Sequence, residues 1–320
     1  MASPNSSFTD IVTTTLQGYS GELADNVTNH NALLRQIERK GNGQVATGRS
    51  IVQEIEYAQN GTVQWYTAAE FLDVSSSETF TAAEFSYKQL AGNVVINGLE
   101  EIQNSGREAV HNLLRSRIKN LQKSLTNTVA TALYADGTGS SGKEFGGLQL
   151  LVADTNTNTV GGISGSTYSW WRNYVYDFST NSVTPSATTI QHAMNVSWIN
   201  AIRGSDKPDI IVADSIYFLY YLESLQAQQR FTDEKGAGAG FTNIQYSYGG
   251  QTPVVYDDQC PASHMYMLNT DYLFVRKAKG RWMKPLGDKS SVNQDAMVMP
   301  VVSAGNLTIS NRKRQAVICA

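Results

Sequence analysis

The chain has 320 residues, 41% of them hydrophobic and 17% charged, with a formal net charge of −3. That length exceeds the size at which single cores usually stop growing, so two lobes are expected, and the slightly negative balance argues against a dedicated nucleic-acid binder. No apolar run approaches the roughly 18–20 residues needed to cross a bilayer, no export signal is visible at the N-terminus, and two distant cysteines, Cys260 and Cys319, exclude a disulfide framework.

Residues 1–47 read as an arm. Their apolar residues are too sparse for a core, and one short helix is expected from Asn31 to Lys40, closed by Gly41. Residues 48–98 alternate. Ile51, Ile55 and Tyr57 point one way and Val52, Glu54 and Glu56 the other, the period of a strand. Asn60-Gly61 suits a tight hairpin turn, Thr62 to Tyr66 begins a return, and Phe80 to Ile96 reads as the strand coming back. Such a hairpin could extend roughly 60 Å, and a lone two-stranded ribbon is marginal in water. It needs another surface to lie on. From Ser50 to Tyr87 there is no Lys or Arg, while Glu54, Glu56, Glu70, Asp73, Glu78 and Glu84 are present.

The next stretch organises the chain. Val110, Leu114, Ile118, Leu121, Leu125, Val129 and Leu133 keep one stripe on one side of a helix. Ser105 with Glu108 forms a capping box, and Asp136-Gly137 ends the helix. The rod is expected to reach about 40 Å. Its exposed positions are mostly basic: Arg107, Arg115, Arg117, Lys119 and Lys123. An acidic extended segment thus feeds a long basic helix.

Beyond it, Gly137 to Glu144 lacks the Ser or Thr a phosphate-binding loop places after its lysine and reads as a connection. Phe145 to Val152 starts a packed segment, and the aromatics from Tyr168 to Phe178 are expected to pack. A second lobe follows: a helix from Thr188 to Ile202, a buried strand Asp209 to Ala213, a helix from Ile216 to about Gln229 capped by Asp214 and Ser215, and strands at Val254 to Tyr256 and His264 to Leu268. Gly236 to Gly240 lacks a dinucleotide fingerprint and takes no ligand. Strands are expected at Tyr272 to Arg276, Ala296 to Val302, Leu307 to Ser310 and Ala316 to Cys319, with Arg312-Lys313-Arg314 a solvated basic turn.

Chemistry-bearing patterns are scarce. The four histidines show no metal-ligand spacing, no cofactor motif is present, and neither cysteine has a His at a catalytic spacing. The best enzyme alternative is a hydrolase using Asp257, Asp258 and His264, which would have to converge in one pocket. The expectation is a protein that is not an enzyme.

The order of these elements resembles the major capsid protein of tailed double-stranded DNA phages, the Hong Kong ninety-seven-type shell fold. The resemblance is carried by Ile51 to Tyr57, Phe80 to Phe85, the helix entry Gly98 to Gly106 and Phe145 to Gln149. Gly204 to Asp214, Asn269 to Tyr272 and Asn293 to Ala296 carry it further. It implies an α+β chain with an N-terminal arm (1–47), an extended hairpin loop (48–98), a peripheral β-rich domain (99–150 and 269–320) holding a spine helix (105–135), and an axial α/β domain (151–268). It implies hexamers and pentamers in an icosahedral phage head, no cofactor and no membrane. The expected partners are other copies of the chain, a separate scaffolding protein, a portal, and packaged double-stranded DNA held only non-specifically. The place is the virion, after assembly in the host cytoplasm. Some relatives weld the shell through a lysine on the extended loop; none lies between Lys40 and Lys88 here, so a non-covalent shell is expected. The expected inter-subunit interface joins Ile51, Glu54, Glu56, Trp65, Glu70, Asp73 and Glu78 to Arg107, Arg115, Arg117, Lys119 and Lys123. Charge would set register there while burial supplies affinity.

Overall fold

The computed structural model describes residues 31–103, 107–226, 245–246, 252–287, 289–290 and 295–320. Expectations for most of the arm, the Ser105–Glu108 capping box, the side chains of Arg107, His111 and Arg115, and the Gly236 to Gly240 loop fall outside them or outside the described side chains.

The arm helix α1 (Ala32–Arg39) starts where the Asn31 side chain accepts from the Leu34 amide at 2.8 Å, and it buries Leu33 and Ile37. Strand β1 (Val45–Ala46) joins a sheet in parallel with a strand more than 200 residues later. Strands β2 (Ile51–Glu56) and β3 (Phe80–Phe85) pair antiparallel from Ile51↔Phe85 to Glu56↔Phe80. The ladder is therefore only six pairs long. Residues 57–79 form no strand, so the expected return at Thr62 to Tyr66 is not one. Nor is Phe80 to Ile96 a single strand. It breaks at Ser86–Tyr87, and β4 (Lys88–Asn97) pairs instead with the distant strand Ala296–Ile309, from Lys88↔Gly305 to Asn97↔Ala296. Alternation of side chains fixes a face but not a partner, so the sequence pattern ran straight through the change of sheet.

A short helix α2 (Gly98–Gln103) precedes the long helix α3 (Arg107–Ala132). Helix α3 stops a turn before the expected end, as i→i−3 bonds at Tyr134 and Ala135 tighten the chain and Gly137 takes φ +80. Its stripe lies on β4. A Cβ at Gly92 would sit 2.4 Å from Leu121 Cδ1, so any larger residue would have to push that side chain aside.

The chain then runs through α4 (Leu148–Leu151), the small hairpin β5 (Thr159–Val160) and β6 (Ile163–Ser164), and β7 (Tyr174–Asp177). Next come α5 (Ile190–Ala201), β8 (Ile210–Ala213), α6 (Ser215–Gln226), β9 (Gln245–Tyr246), β10 (Thr252–Tyr256) and β11 (His264–Leu268). Strands β12 (Leu273–Ala278), β13 (Lys284–Pro285), β14 (Lys289–Ser290), β15 (Ala296–Ile309) and β16 (Ala316–Cys319) complete it. The two strands expected within 296–310 are one continuous strand, the hub of the first sheet, contacting β4, β12, β13 and β14.

The second sheet has the order β7-β16-β11-β8-β10-β9. Ile211, Ala213, Met265, Met267, Ala316 and Ile318 face one core with α5 and α6, while Ile210, Val212, Tyr266, Leu268 and Val317 face the other core with α1, β2, β3 and β12. Both faces are covered, which is why these strands read as unbroken apolar runs. The last strand, β16, lies inside this sheet, beside strands of the 151–268 segment rather than those of 269–309.

The Arg312 to Arg314 turn was expected to be solvated, and here the structure corrects the sequence reading. Arg312 is 0% exposed; its Nε donates to the Leu151 carbonyl (2.7 Å), and its Nη2 donates to Asn158 Oδ1 (2.7 Å) and Asn173 Oδ1 (3.0 Å). Burial pulls its guanidinium down to about 10. Arg314 is also buried and donates to the carbonyls of Ala201 and Ile202, closing the C-terminus of α5.

Candidate subunit interface

The segment 57–79 leaves the β2–β3 ladder and carries its apolar side chains in water. Trp65 is 101% exposed, Phe71 99%, Val74 93% and Val63 83%, with Tyr66 and Leu72 also exposed. Exposed apolar side chains grouped in this way make the segment a candidate contact site. Local bonds shape it: Tyr57 donates from its amide to the Thr79 carbonyl and from its hydroxyl to the Glu78 carbonyl, and Thr67 donates to Glu70 Oε2. The Ser75 amide holds the Asp73 carboxyl below its ordinary range.

The base of the segment is anchored on its own chain. The Glu84 amide donates to the Gly161 carbonyl at 3.0 Å, and Tyr57 stacks on Trp170 with ring centroids 5.5 Å apart. Gly161 has φ +60, and a Cβ there would meet Ala83 Cβ at 2.6 Å. An open groove lined by Arg49, Ser50, Glu84, Ser86, Tyr87 and Gly162 runs along this base.

The expected interface residues divide on this geometry. Ile51 is 3% exposed and Ile55 7%, both packed in the chain's own core, so neither is available to a neighbour. Glu54 and Glu56 stand on the outer side of β2, and Trp65, Glu70, Asp73 and Glu78 on the open segment. On the helix, Lys119 is exposed and Lys123 half-buried. Arg117 pairs within the chain: Nη1 donates to the Val95 carbonyl and to Glu100 Oε2 at 2.9 Å, and Nη2 to Glu100 Oε1 at 3.1 Å. This fork ties α2, β4 and α3 together, and it lowers the Glu100 pKa despite partial burial. Sequence charge alone could not tell a tie within the fold from a docking group.

The hydrolase alternative fails on geometry. Asp257 follows β10 and His264 opens β11, which flank β8 on opposite sides. Asp257 is buried, accepting from the Tyr134 hydroxyl at 2.7 Å and the Gln259 amide at 3.0 Å, while Asp258 contacts the Gln259 side chain. His264 faces Asp154 instead, Nε2 to Oδ2 at 2.9 Å. The three residues do not converge. Among the described residues no group of three His, Cys, Asp or Glu side chains is placed to hold a metal, and no helix is long and apolar enough to cross a membrane.

No protein-family model and no curated protein sequence matches the chain. Solved structures do. The capsid asymmetric unit of cyanophage A-1(L) matches with a TM-score of 0.66 at 19% identity, covering 93% of this chain and 94% of that one. The capsid of an empty GTA particle matches at 0.58 with 13% identity, covering 95% of each chain. The holo-SrpI encapsulin complex from Synechococcus elongatus PCC 7942 matches at 0.54 with 9% identity, covering 93% and 91%. The chain therefore has the shell fold of phage major capsid proteins, as the order of its elements implied.

Proposed function

We propose that this chain is a structural major capsid protein, whose copies assemble into hexamers and pentamers and close an icosahedral phage head around double-stranded DNA. The observation that carries the reading is the apolar segment 57–79, which the chain holds out in water on a fold otherwise shared with shell proteins. Burying Val63, Trp65, Tyr66, Phe71, Leu72 and Val74 at about 1.5–3 kcal/mol each amounts to of order 10 kcal/mol per copy. A surface ion pair contributes only about 0–1 kcal/mol. Burial supplies the affinity, and charge sets register: the segment has no base, and Lys119 on α3 offers one. A scaffolding protein and a portal complete the assembly, and the negative total charge leaves contact with DNA weak and non-specific. The finished protein resides in the virion after assembly in the host cytoplasm.

Sedimentation velocity tests this. The unaltered chain is expected to form capsomers or shells, and Trp65→Ser combined with Phe71→Ser is expected to yield a folded, slowly sedimenting species with unchanged melting temperature. A double variant that assembles like the parent would remove the segment from the interface. Particles that form but enclose protein and no nucleic acid would favour a compartment like that of the encapsulin among the similar structures.

A further inference from the structure

The chain holds three Asn-Gly dipeptides, at Asn42-Gly43, Asn60-Gly61 and Asn97-Gly98. The sequence is chemically special because glycine leaves the following backbone nitrogen sterically open to attack the asparagine side-chain carbonyl. The fold disarms two of them. Asn42 commits its amide nitrogen to the carbonyls of Thr270 (2.6 Å) and Leu273 (3.2 Å), so turning the side chain toward Gly43 would break both bonds. At Asn97 the would-be nucleophile is engaged: the Gly98 amide donates to the Asp295 carbonyl at 3.0 Å, at the end of a paired strand.

Asn60 differs on every count. It lies on the exposed segment, and an added Cβ at Gly61 would meet only Ser77 Oγ, at 3.9 Å. Among the described residues its Nδ2 has no hydrogen-bond partner, so the leaving group is open to water. Its Oδ1 accepts three donors: the Thr62 amide at 3.0 Å, Thr62 Oγ1 at 2.9 Å and Ser77 Oγ at 3.2 Å. Donors converging on a carbonyl oxygen stabilise the negative charge that develops there when the carbon is attacked.

We propose that Asn60 is a self-modification site, deamidating through a cyclic imide formed with Gly61. Hydroxide removes the Gly61 amide proton and the nitrogen bonds to Asn60 Cγ, placing charge on Oδ1. The Cγ–Nδ2 bond then breaks and Nδ2 leaves as ammonia with a proton from water. Water opens the imide at either carbonyl, giving aspartate or isoaspartate; the net change is water in and ammonia out, with no redox step. The product adds a carboxylate to a segment that has no Lys or Arg from Ser50 to Tyr87. This chemistry belongs to the unassembled chain, in which segment 57–79 is exposed, and is tested on that form.

The test is a peptide map with isoaspartate detection, taken as the purified full chain ages in mildly acidic and mildly alkaline buffer. Asn60 is expected to convert faster at the higher pH, and about tenfold faster than Asn42 or Asn97, which must first break hydrogen bonds. In denaturant the three rates are expected to come together. Thr62→Val with Ser77→Ala is expected to slow Asn60 about threefold. This is far less than the ~100-fold cost of one lost donor in an enclosed oxyanion hole, because water substitutes here. Equal rates at the three sites in the folded chain, or a double variant that converts at the parent rate, would overturn the proposal.

Discussion

His264 shows how one side chain can carry a pH dependence that its sequence neighbours do not announce. Its Nδ1 lies 2.7 Å from the Ala262 carbonyl and its Nε2 2.9 Å from Asp154 Oδ2. Both partners are acceptors, and only the doubly protonated ring donates to both. Burial opposes that charge, but the Asp154 carboxylate, the Ala262 carbonyl and the field of Asp214 outweigh it, raising the pKa above 6.5. Tyr266 stacks on the ring at 5.9 Å. A folded-state pKa above the unfolded value gives stability fully present below about pH 6.5 and lost as pH rises through the folded value. The melting temperature is therefore expected to fall as pH rises above about 6.5 and through the folded-state value, and His264→Gln to flatten that slope. A parent slope retained in the variant would place the proton elsewhere. Asp154 and His264 are 110 residues apart, and neither belongs to a motif, so the pair was illegible before folding.

Arg312 makes the same point about charge. A run of three bases reads as solvated on composition alone, yet two of them fill the interior because backbone carbonyls and asparagines wait there. Arg312→Ala is expected to cost about 3 kcal/mol or more in chemical denaturation, since it strands buried acceptors as well as losing packing. Arg312→Lys should recover little, because an ammonium cannot reproduce the fork. A loss within about 0.5 kcal/mol would mean that water serves those groups as well.

At the scale of elements, period and caps were readable and partners were not. The helices α5 and α6 and the strands β8, β11 and β16 stand within a few residues of their expected places, because each is a short apolar run bounded by breakers. The stretch 80–97 misled because β3 and β4 share one alternation while belonging to different sheets. The basic helix was only half legible: Arg117 is spent on Glu100 inside the chain, and Lys119 stays on the surface. Lys119→Glu is expected to slow assembly severalfold at low salt and much less at high salt, since exposed charges are screened within about 10 Å at 0.1 M. Equal impairment at both would assign the effect to packing.

At the scale of the molecule, the two cores lie on opposite faces of the sheet that holds β8, β11 and β16, so the body is held by burial on both faces of that sheet. The β2–β3 ladder packs Ile51, Ile55, Ala83 and Phe85 into that body, and the residues between Tyr57 and Thr79 are mostly exposed. The expectation that a slender ribbon needs a second surface survives in shorter form: six pairs rooted in the fold, then an irregular apolar and acidic tip. A cryo-electron-microscopy reconstruction of assembled particles is the most direct test. The account predicts Trp65 and Phe71 buried against another copy of the chain, near its α3 helix. Finding both rings in solvent, or folded back on their own subunit, would contradict it.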